Sequence, residues 1–522
     1  MLPVEIFPLL FNYLSLCVAA VEPRRESSKR QLPADPTGVT TITSPNGFQI
    51  RYSEPGKSGV CETTPDVNSY SGYIDIDEKT HMFFWFFEAR HNANEAPITL
   101  WLEGGPGADS LFGLFDLVGP CHVTEDLKSE LNPNSFTEVS NVLFLSQPIG
   151  VGFSYADEVA GIINGTSGYP QNSSTPDGRY ANVSPFQTTT TSAAAVTAWE
   201  VLQAFFQELP SFDPDVKSRD FNLWTLSYGG HWGPAFFAHF YEQNELIKNG
   251  KAQGVALHMQ SLGIINGIID IQVQMPYYPE YAIKNEYGIQ LVNETVYAFM
   301  KMAFSITGGC SDSLDYCYAS DTSTLIGQYL CASANAICRT MVEGPAESIS
   351  NRSPYDIRAL ATEELEPSFW IDYVNTAFVQ NALGVNLNYT SASSEQVSEG
   401  FVLSGDWAYS KLSDLEELLD RGVKVALING DADYLANWMG GEAISLAANY
   451  THSAGFRAAN YEPLVVDGTK YGETREFGQF SFTKVHEAGH DVPFYQPVAT
   501  LELFKRVLGN LVISDGSSKV DY

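Results

Sequence analysis

The stretch FNLWTLSYGGHWGPAFFAHFYEQNELI, residues 221–247, holds a strand pattern, a sharp turn and a helix pattern in direct succession. Its first six residues form a largely apolar run typical of a buried strand. Glycines and a proline follow, and apolar residues then recur at helical spacing up to Ile247. A buried strand that passes through a glycine-rich turn into a helix is the repeating unit of an α/β sheet. Ser227 lies at this turn.

Similar alternation continues on both sides of this unit. Short apolar runs predict further strands at 98–102, 141–145, 423–428 and 479–485. Helical spacing predicts helices at 192–209 and after Pro497. This alternation implies an α/β fold of the α/β-hydrolase type, with a mostly parallel central sheet and helices on both faces.

The pattern changes between residues 272 and 365. This segment holds four cysteines and several polar loops, and no clear strand pattern. We therefore predict that 272–365 is an inserted, disulfide-containing cap. Residues 31–271 and 366–522 would then form the two parts of the sheet core.

The bulk composition limits the function classes. The chain has 522 residues, of which 44% are hydrophobic and 17% charged, which is enough for a large core. Its formal net charge is −33 and its pI is about 4.5. That charge argues against nucleic acid and anionic membrane surfaces as partners, and it suits a solubilising surface in an acidic medium.

The N-terminus resembles a targeting segment. An apolar run from Ile6 to Ala20 ends in small residues, which predicts a signal peptide at 1–20. A buried N-terminal helix is the alternative, and the dense polar segment after it disfavours this alternative. Basic pairs at 24–25 and 29–30 indicate a pro-segment at 21–30. No other apolar stretch approaches the roughly 20 residues that span a membrane.

Sequons and cysteines agree with secretion. Seven Asn-x-Ser/Thr sequons occur, at Asn164, Asn172, Asn182, Asn293, Asn351, Asn388 and Asn449. Removal of the signal with Cys17 leaves an even number of cysteines, which favours disulfides over metal or free thiols. These are Cys61, Cys121, Cys310, Cys317, Cys331 and Cys338. The spacing of the last four suggests local pairs, for example nested as Cys310–Cys338 and Cys317–Cys331, which leaves Cys61–Cys121.

Ser227 is a candidate nucleophile because of its turn and its place in the chain order. The five residues TLSYG fit the nucleophile turn G-x-S-x-G, except that Thr225 replaces the first glycine. Asp433 and His490 come after two later predicted strands, where an α/β sheet presents its catalytic groups. His490 would accept the serine proton, and Asp433 would orient the imidazole. An ordinary serine in a turn is the alternative.

Spacing alone leaves rivals for these roles. Asp431 could replace Asp433, and His486 and Glu487 lie near His490 in the chain. The glycine loop GGPG at 104–107 follows a predicted strand, so its backbone N–H groups could approach a developing oxyanion, or it could be a plain tight turn.

Five motifs in order carry a family resemblance: WLEGGPG, QPIGVGFSY, LSYGGHWGP, NGDADYLANW and AGHDVP. Together they resemble the serine carboxypeptidase family, most of all its fungal secreted branch, over nearly the whole mature chain. The resemblance implies a triad of Ser227, Asp433 and His490, with Asp433 preferred over Asp431. It also implies an oxyanion hole from the N–H groups of Gly105 and Tyr228.

The departures from the family pattern fall mainly on substrate recognition. The resemblance implies that Glu103, Gly104, Leu117 and Leu226 line the substrate site. The family usually has asparagine where this chain has Glu103, and glutamate where it has Leu117 and Leu226, to bind a peptide's C-terminal carboxylate. Leucine cannot form that hydrogen bond, and Glu103 would repel a carboxylate unless it is protonated. Asp116 lies beside Leu117 and could point elsewhere.

Four other positions also depart from the family. Ala108-Asp109 stands in place of the usual small Cys/Ser-Ser pair, Ser146 replaces an aspartate, and Asp491 follows the predicted catalytic histidine.

The leading hypothesis is a secreted serine carboxypeptidase-type hydrolase with altered carboxylate recognition, acting on a peptide or small acyl substrate. An acyltransferase, or a hydrolase of a non-peptide ester or amide, is the second hypothesis, and a non-catalytic secreted binding protein is the third. The histidines and cysteines show no metal-binding spacing, and GGPGADS lacks the lysine of a phosphate loop. We therefore expect no metal and no cofactor.

Overall fold

The computed structural model describes residues 32–165, 169–186 and 188–520. The predicted signal peptide and pro-segment therefore lie outside the described residues. Within those residues, no helix is long and apolar enough to cross a membrane.

The strands are β1 (Thr40–Thr43), β2 (Gln49–Ser53), β3 (Ser69–Asp77), β4 (Thr80–Phe87), β5 (Ile98–Leu102), β6 (Cys121–Val123), β7 (Ser129–Leu131), β8 (Asn141–Leu145), β9 (Asp157–Ile163), β10 (Pro170–Asn172), β11 (Gly178–Asn182), β12 (Asp220–Leu226), β13 (His258–Ile265), β14 (Lys424–Gly430), β15 (Glu462–Val466), β16 (Thr469–Phe477) and β17 (Phe480–Val485).

The α-helices are α1 (Ser110–Phe112), α2 (Thr191–Phe212), α3 (Gly229–Lys248), α4 (Ile271–Gln274), α5 (Tyr277–Ile283), α6 (Glu294–Ser305), α7 (Cys310–Tyr318), α8 (Leu325–Cys338), α9 (Gly344–Ser350), α10 (Phe369–Val374), α11 (Ala377–Leu383), α12 (Glu395–Ser404), α13 (Leu412–Asp420), α14 (Trp438–Ala447), α15 (Ser453–Ala458), α16 (Val492–Tyr495) and α17 (Pro497–Leu508). Wider π-helical turns follow α1 at Gly113–Leu117 and α8 at Arg339–Glu343.

A twelve-stranded sheet forms the centre of the fold, in the order β1-β2-β3-β4-β8-β5-β12-β13-β14-β17-β16-β15. The six strands from β8 to β17 in this order run parallel. The outer strands on both sides pair antiparallel. The predicted α/β fold is confirmed, and its parallel part is the middle of a mixed sheet.

Two apolar cores lie on opposite faces of this sheet. Strand β4 alternates between them, because Phe84 and Phe86 belong to one core and Phe83 and Trp85 to the other. Successive side chains of a strand point to opposite faces, so both faces of β4 are buried. Helices α2 and α3 cover the first face, and α17 covers the second through Phe504. Helices therefore lie on both faces, as the alternation predicts.

The segment between β13 and β14, residues 266–423, is helical and contains no strand. Two disulfides, Cys310–Cys338 and Cys317–Cys331, tie α7 to α8 within it. The third, Cys61–Cys121, joins the N-terminal part to β6. All three pairs match the predicted pattern.

The ends of the parallel strands determine where the candidate catalytic residues lie. Leu226 at the end of β12 pairs with Ile265 at the end of β13, and Gly430 at the end of β14 pairs with Val485 at the end of β17. The loops after these ends leave the sheet at one edge. Ser227, Asp433 and His490 all lie on such loops.

Candidate active site

Ser227 occupies a strained turn between β12 and α3. Its φ is 61°, in the left-handed region that non-glycine residues rarely adopt. Such a conformation costs on the order of 1–3 kcal/mol and persists only when the surroundings fix it. Here the Ser227 N–H donates to the carbonyl of Ile265 at 2.9 Å, and the Ser227 carbonyl accepts from Gly230 N–H at 2.9 Å. The turn thus holds the serine at the end of the sheet, where it is 8% exposed.

Thr225 fits where the usual turn motif has glycine. Its hydroxyl donates to the carbonyl of Gly229 at 3.0 Å. A Cβ atom on Gly229 would lie 2.4 Å from the Thr225 Cβ, so the bulk of the threonine requires a glycine at 229. The replacement therefore leaves the turn intact.

His490 and Asp433 form a buried hydrogen-bonded pair. His490 Nδ1 lies 2.8 Å from Asp433 Oδ2, and the two side chains are almost fully buried. Asp433 also accepts from Asn266 Nδ2 at 2.7 Å and from the backbone N–H groups of Leu435 and Ala436 at 2.8 and 3.1 Å. These donors fix the carboxylate, and through it the orientation of the imidazole.

The charges around His490 favour its protonated form. Burial by itself lowers the pKa of the imidazole, but the Asp433 carboxylate and then Asp491 and Glu103 outweigh it and raise the pKa of His490 above its usual value. The Asp433 carboxylate, which contacts Nδ1 directly, stabilises an imidazolium at this position.

The rival residues are engaged elsewhere. Asp431 accepts a hydrogen bond from the Tyr287 hydroxyl at 2.5 Å. Glu487 is largely exposed and pairs with Arg358 at 2.9 Å. This geometry favours Asp433 over Asp431, a choice that the chain order left open.

The glycine loop lies directly against the serine turn. A Cβ atom on Gly104 would come within 2.5 Å of Tyr228 N and 2.7 Å of Ser227 Cβ, so only glycine allows this approach. Gly105 has a φ of 101°. Among the described residues, neither Gly105 N–H nor Tyr228 N–H donates a hydrogen bond. Two free donors beside the serine are the groups that an oxyanion hole requires.

Glu103 is buried at the start of this loop. It is 2% exposed, and Trp101 Nε1 donates to its Oε1 at 2.9 Å. Burial, followed by the negative charge of Asp491, raises the pKa of Glu103 to about 8. The side chain is therefore neutral and able to donate a hydrogen bond in acidic and neutral solution.

Leu117 and Leu226 belong to the apolar core that contains Trp101 and Trp224. They are 2% and 3% exposed. The side chains at these two positions offer no hydrogen bond.

Three further carboxyl groups form a cluster next to Glu103 and His490, in which Asp491 interacts with both residues, and Asp116 and Glu366 interact with Asp491. Asp116 lies in the π-helical turn and accepts a hydrogen bond from Trp370 Nε1 at 2.6 Å. Burial and its contact with Asp491 raise the pKa of Glu366 to about 10, and burial also raises the pKa of Asp116 and of Asp491. In the described part of the chain, none of these carboxyls forms an ion pair with lysine or arginine.

The sequence analysis noted Asp116 only as the neighbour of Leu117 and Asp491 only as a departure from the family, and it missed Glu366. Glu366 lies in a loop more than a hundred residues from either, with no motif around it. Its contact with Asp491 arises only from the tertiary fold.

Two of the positions that depart from the family pattern contact each other. Ser146 donates to Asp109 Oδ1 at 2.7 Å, and the Tyr389 hydroxyl donates to Asp109 Oδ2 at 2.8 Å. The aspartate at one position is therefore matched by a hydroxyl donor at the other. Asp109 is fully buried, and burial raises its pKa to about 6.

Comparisons with known proteins agree with this geometry. The sequence model of the serine carboxypeptidase family matches residues 55–510. Carboxypeptidase S1 homolog B of Arthroderma otae is 38% identical, over 97% of this chain and 83% of that relative. Carboxypeptidase S1 of Penicillium janthinellum is 34% identical, over 88% of this chain and 99% of that protein. The crystal structure of Kex1(delta)p, a prohormone-processing carboxypeptidase of Saccharomyces cerevisiae, superposes with a TM-score of 0.70 at 21% identity, over 92% and 97% of the two chains.

Proposed function

The chain belongs to the serine carboxypeptidase family, and on that premise we propose that it is a secreted enzyme that releases C-terminal residues from peptides through an acyl-enzyme on Ser227. The observation that carries the proposal is the buried His490–Asp433 pair, at the same sheet edge as the strained Ser227 turn.

The chemistry depends on the positions of these groups. His490 removes the hydroxyl proton as Ser227 Oγ attacks the scissile carbonyl. The N–H groups of Gly105 and Tyr228 stabilise the oxyanion of the tetrahedral intermediate. His490 then gives the proton to the leaving amine, and the peptide remains as an ester on Ser227. Water, activated by the same imidazole, hydrolyses the ester and regenerates the serine.

A neutral Glu103 supports recognition of a peptide carboxylate in acidic and neutral solution. A neutral Glu103 donates a hydrogen bond to the substrate's C-terminal carboxylate, in the role that the family gives to asparagine. Since the pKa of Glu103 is raised to about 8, this donor is present below that pH and is replaced by a repelling charge above it. Leu117 and Leu226 leave this recognition with fewer hydrogen bonds than the family pattern provides.

The same leucines favour a second candidate function. A site with two apolar side chains in place of carboxylate-binding groups suits a neutral ester or amide. Resolution of the acyl-enzyme by an alcohol or amine would make the protein an acyltransferase.

Secretion is supported by the three disulfides, which persist in oxidising compartments. Five of the sequon asparagines are exposed: Asn172, Asn182, Asn293, Asn351 and Asn449. Asn388, by contrast, is 4% exposed and accepts a hydrogen bond from Arg179 N–H at 2.9 Å. We expect glycans on the exposed sites and none on Asn388.

Residues 272–365 act as the cap in the proposed domain organisation. They lie between two sheet strands and bring Tyr287 onto Asp431 beside the site. The core is then formed by the residues on either side of this insertion.

Release of the C-terminal residue from a library of blocked dipeptides at acidic pH tests the function. The matched variants are Ser227→Ala, which removes the nucleophile, and Leu226→Glu combined with Glu103→Asn, which introduces the family's residues. We expect release by the unmodified enzyme, none by Ser227→Ala, and faster release by the double variant. If a serine-reactive phosphonate labels Ser227 while no dipeptide is cleaved, the ester or acyl-transfer function is favoured instead.

A further inference from the structure

A cleft of about 820 Å³ opens at the edge of the sheet opposite the active site. It is bordered by the end of α13, the loop at 450–452, the β16–β17 turn and the C-terminal segment 512–520. Strands β14 and β17 begin beside it, whereas the candidate catalytic residues come after the ends of these strands. Nothing in the proposed reaction uses this cleft.

Aromatic rings form a row along the cleft. The centroids of Tyr450 and His452 are 6.5 Å apart, and those of His452 and Phe477 are 6.4 Å apart. Phe477 packs against Gly455, where a Cβ atom would lie 2.4 Å from the ring, and the side chain remains 43% exposed. An aromatic side chain that is packed on one side and open to a cleft on the other is a platform for an apolar ligand surface.

Polar groups complete the cleft. Asp420, Glu462 and Glu476 contribute carboxyl groups to its lining, and Lys519 contributes a cation. Tyr450 is 8% exposed, and its hydroxyl has no hydrogen-bond partner among the described residues. Aromatic faces beside carboxyl groups suit a sugar, because a pyranose ring has an apolar C–H face and hydroxyls at its edge.

The sequon Asn449-Tyr450-Thr451 lies at the mouth of this cleft. Tyr450 and Thr451 belong to its lining, and Asn449 is exposed directly before them. The Asn449 N–H donates to Glu416 at 2.7 Å and the Thr451 N–H donates to Asp420 at 2.8 Å, which fixes the backbone of the sequon. Neither bond uses the side-chain nitrogen of Asn449.

We propose that the cleft is the seat of an N-linked glycan on Asn449, whose first sugars pack on Phe477 and His452 and hydrogen-bond to the cleft carboxyls. The proposal rests on the secretion proposed above. The donor is an oligosaccharide on a lipid pyrophosphate. A bond forms between the sugar C1 and Asn449 Nδ2, the C1–O bond to the pyrophosphate breaks, and the amide loses one proton.

Contact with the cleft distinguishes the glycan on Asn449 from those on the other sequons. Asn172 is also exposed, but it lies on β10 of the small three-stranded sheet and does not line the cleft. A glycan on Asn449 therefore stabilises the fold by covering an exposed aromatic ring, whereas a glycan on Asn172 extends into solvent.

The test compares Asn449→Gln with the matched control Asn172→Gln, in full-length protein secreted from a fungal host. Mass spectrometry of glycopeptides gives the occupancy of each sequon, and phosphonate labelling of Ser227 shows that each variant is folded. We expect Asn449 to be occupied, and Asn449→Gln to lower Tm by about 2 °C or more while Asn172→Gln leaves it unchanged. Thr451→Ser keeps the sequon and should keep both the glycan and the Tm.

A double-mutant cycle tests whether Phe477 contacts the glycan on Asn449. Phe477→Ala should lower Tm in the glycosylated protein and lower it less in the Asn449→Gln background. Equal losses in both backgrounds, an unmodified Asn449, or equal Tm for the two asparagine variants would each overturn the proposal. If the chain is retained in the cells and not recovered from the medium, the proposed secretion fails as well, whereas a secreted protein with only the other sequons occupied refutes only the glycan seat.

Discussion

The two halves of the active site satisfy their charges in opposite ways. Asp433 accepts four hydrogen bonds, from His490, from Asn266 and from two backbone N–H groups. Glu103, on the proposed substrate side, accepts one from Trp101 and lies near the carboxyl groups of Asp491 and Asp109 as well as His490. The first carboxyl group is surrounded by hydrogen-bond donors, whereas burial raises the pKa of the second and favours its protonated form. In the proposed mechanism, the catalytic half therefore depends on fixed hydrogen bonds, while the substrate half depends on a proton that Glu103 loses as the pH rises.

The largest expected effect comes from the catalytic half. Asp433→Asn should lower kcat/KM for a blocked dipeptide by about 10⁴-fold, because the imidazole loses the acceptor that fixes its tautomer. Steady-state kinetics at the optimum pH measure this. Asp431→Asn is the matched control, since Asp431 binds Tyr287, and it should lose less than about tenfold. Equal losses in the two variants would contradict the assignment of Asp433.

The substrate half should respond to pH. Above pH 8 Glu103 ionises and repels a peptide carboxylate, so kcat/KM should fall by up to about tenfold per pH unit. Glu103→Gln keeps a hydrogen-bond donor that does not titrate, so its profile should lack this fall. An ester substrate without a carboxylate provides the control, because ionisation of Glu103 does not repel it. A wild-type profile identical to that of Glu103→Gln would show that Glu103 does not contact the carboxylate.

The smallest expected effect concerns the hydrogen bond between Ser146 and Asp109. It tests whether one departure from the family pattern compensates for another. Asp109→Ser leaves the hydroxyls of Ser146 and Tyr389 without their acceptor and should lower the free energy of unfolding by about 1–3 kcal/mol. The double variant with Ser146→Asp should recover part of this loss, as measured by denaturant unfolding. If the double variant loses more unfolding free energy than the two single variants lose together, compensation is contradicted.

Sequence patterns predicted the features that are local or ordered along the chain. The α/β fold, the strand ends that carry Ser227, Asp433 and His490, and the three disulfide pairs agree with periodicity, chain order and cysteine spacing. The carboxyl group of Glu366 and the Asp109–Ser146 bond could not be found this way, because each depends on residues that meet only in the folded chain. The antiparallel strands at the sheet margins were missed because periodicity does not give pairing direction.

The most direct test of the central claim is to titrate the enzyme with a serine-reactive phosphonate while release of the C-terminal residue is measured, and to map the adduct by peptide mass spectrometry. We expect a single adduct on Ser227 and a loss of release in proportion to its occupancy. Release that persists with Ser227 fully modified, or an adduct on another serine, would contradict the proposed role of Ser227.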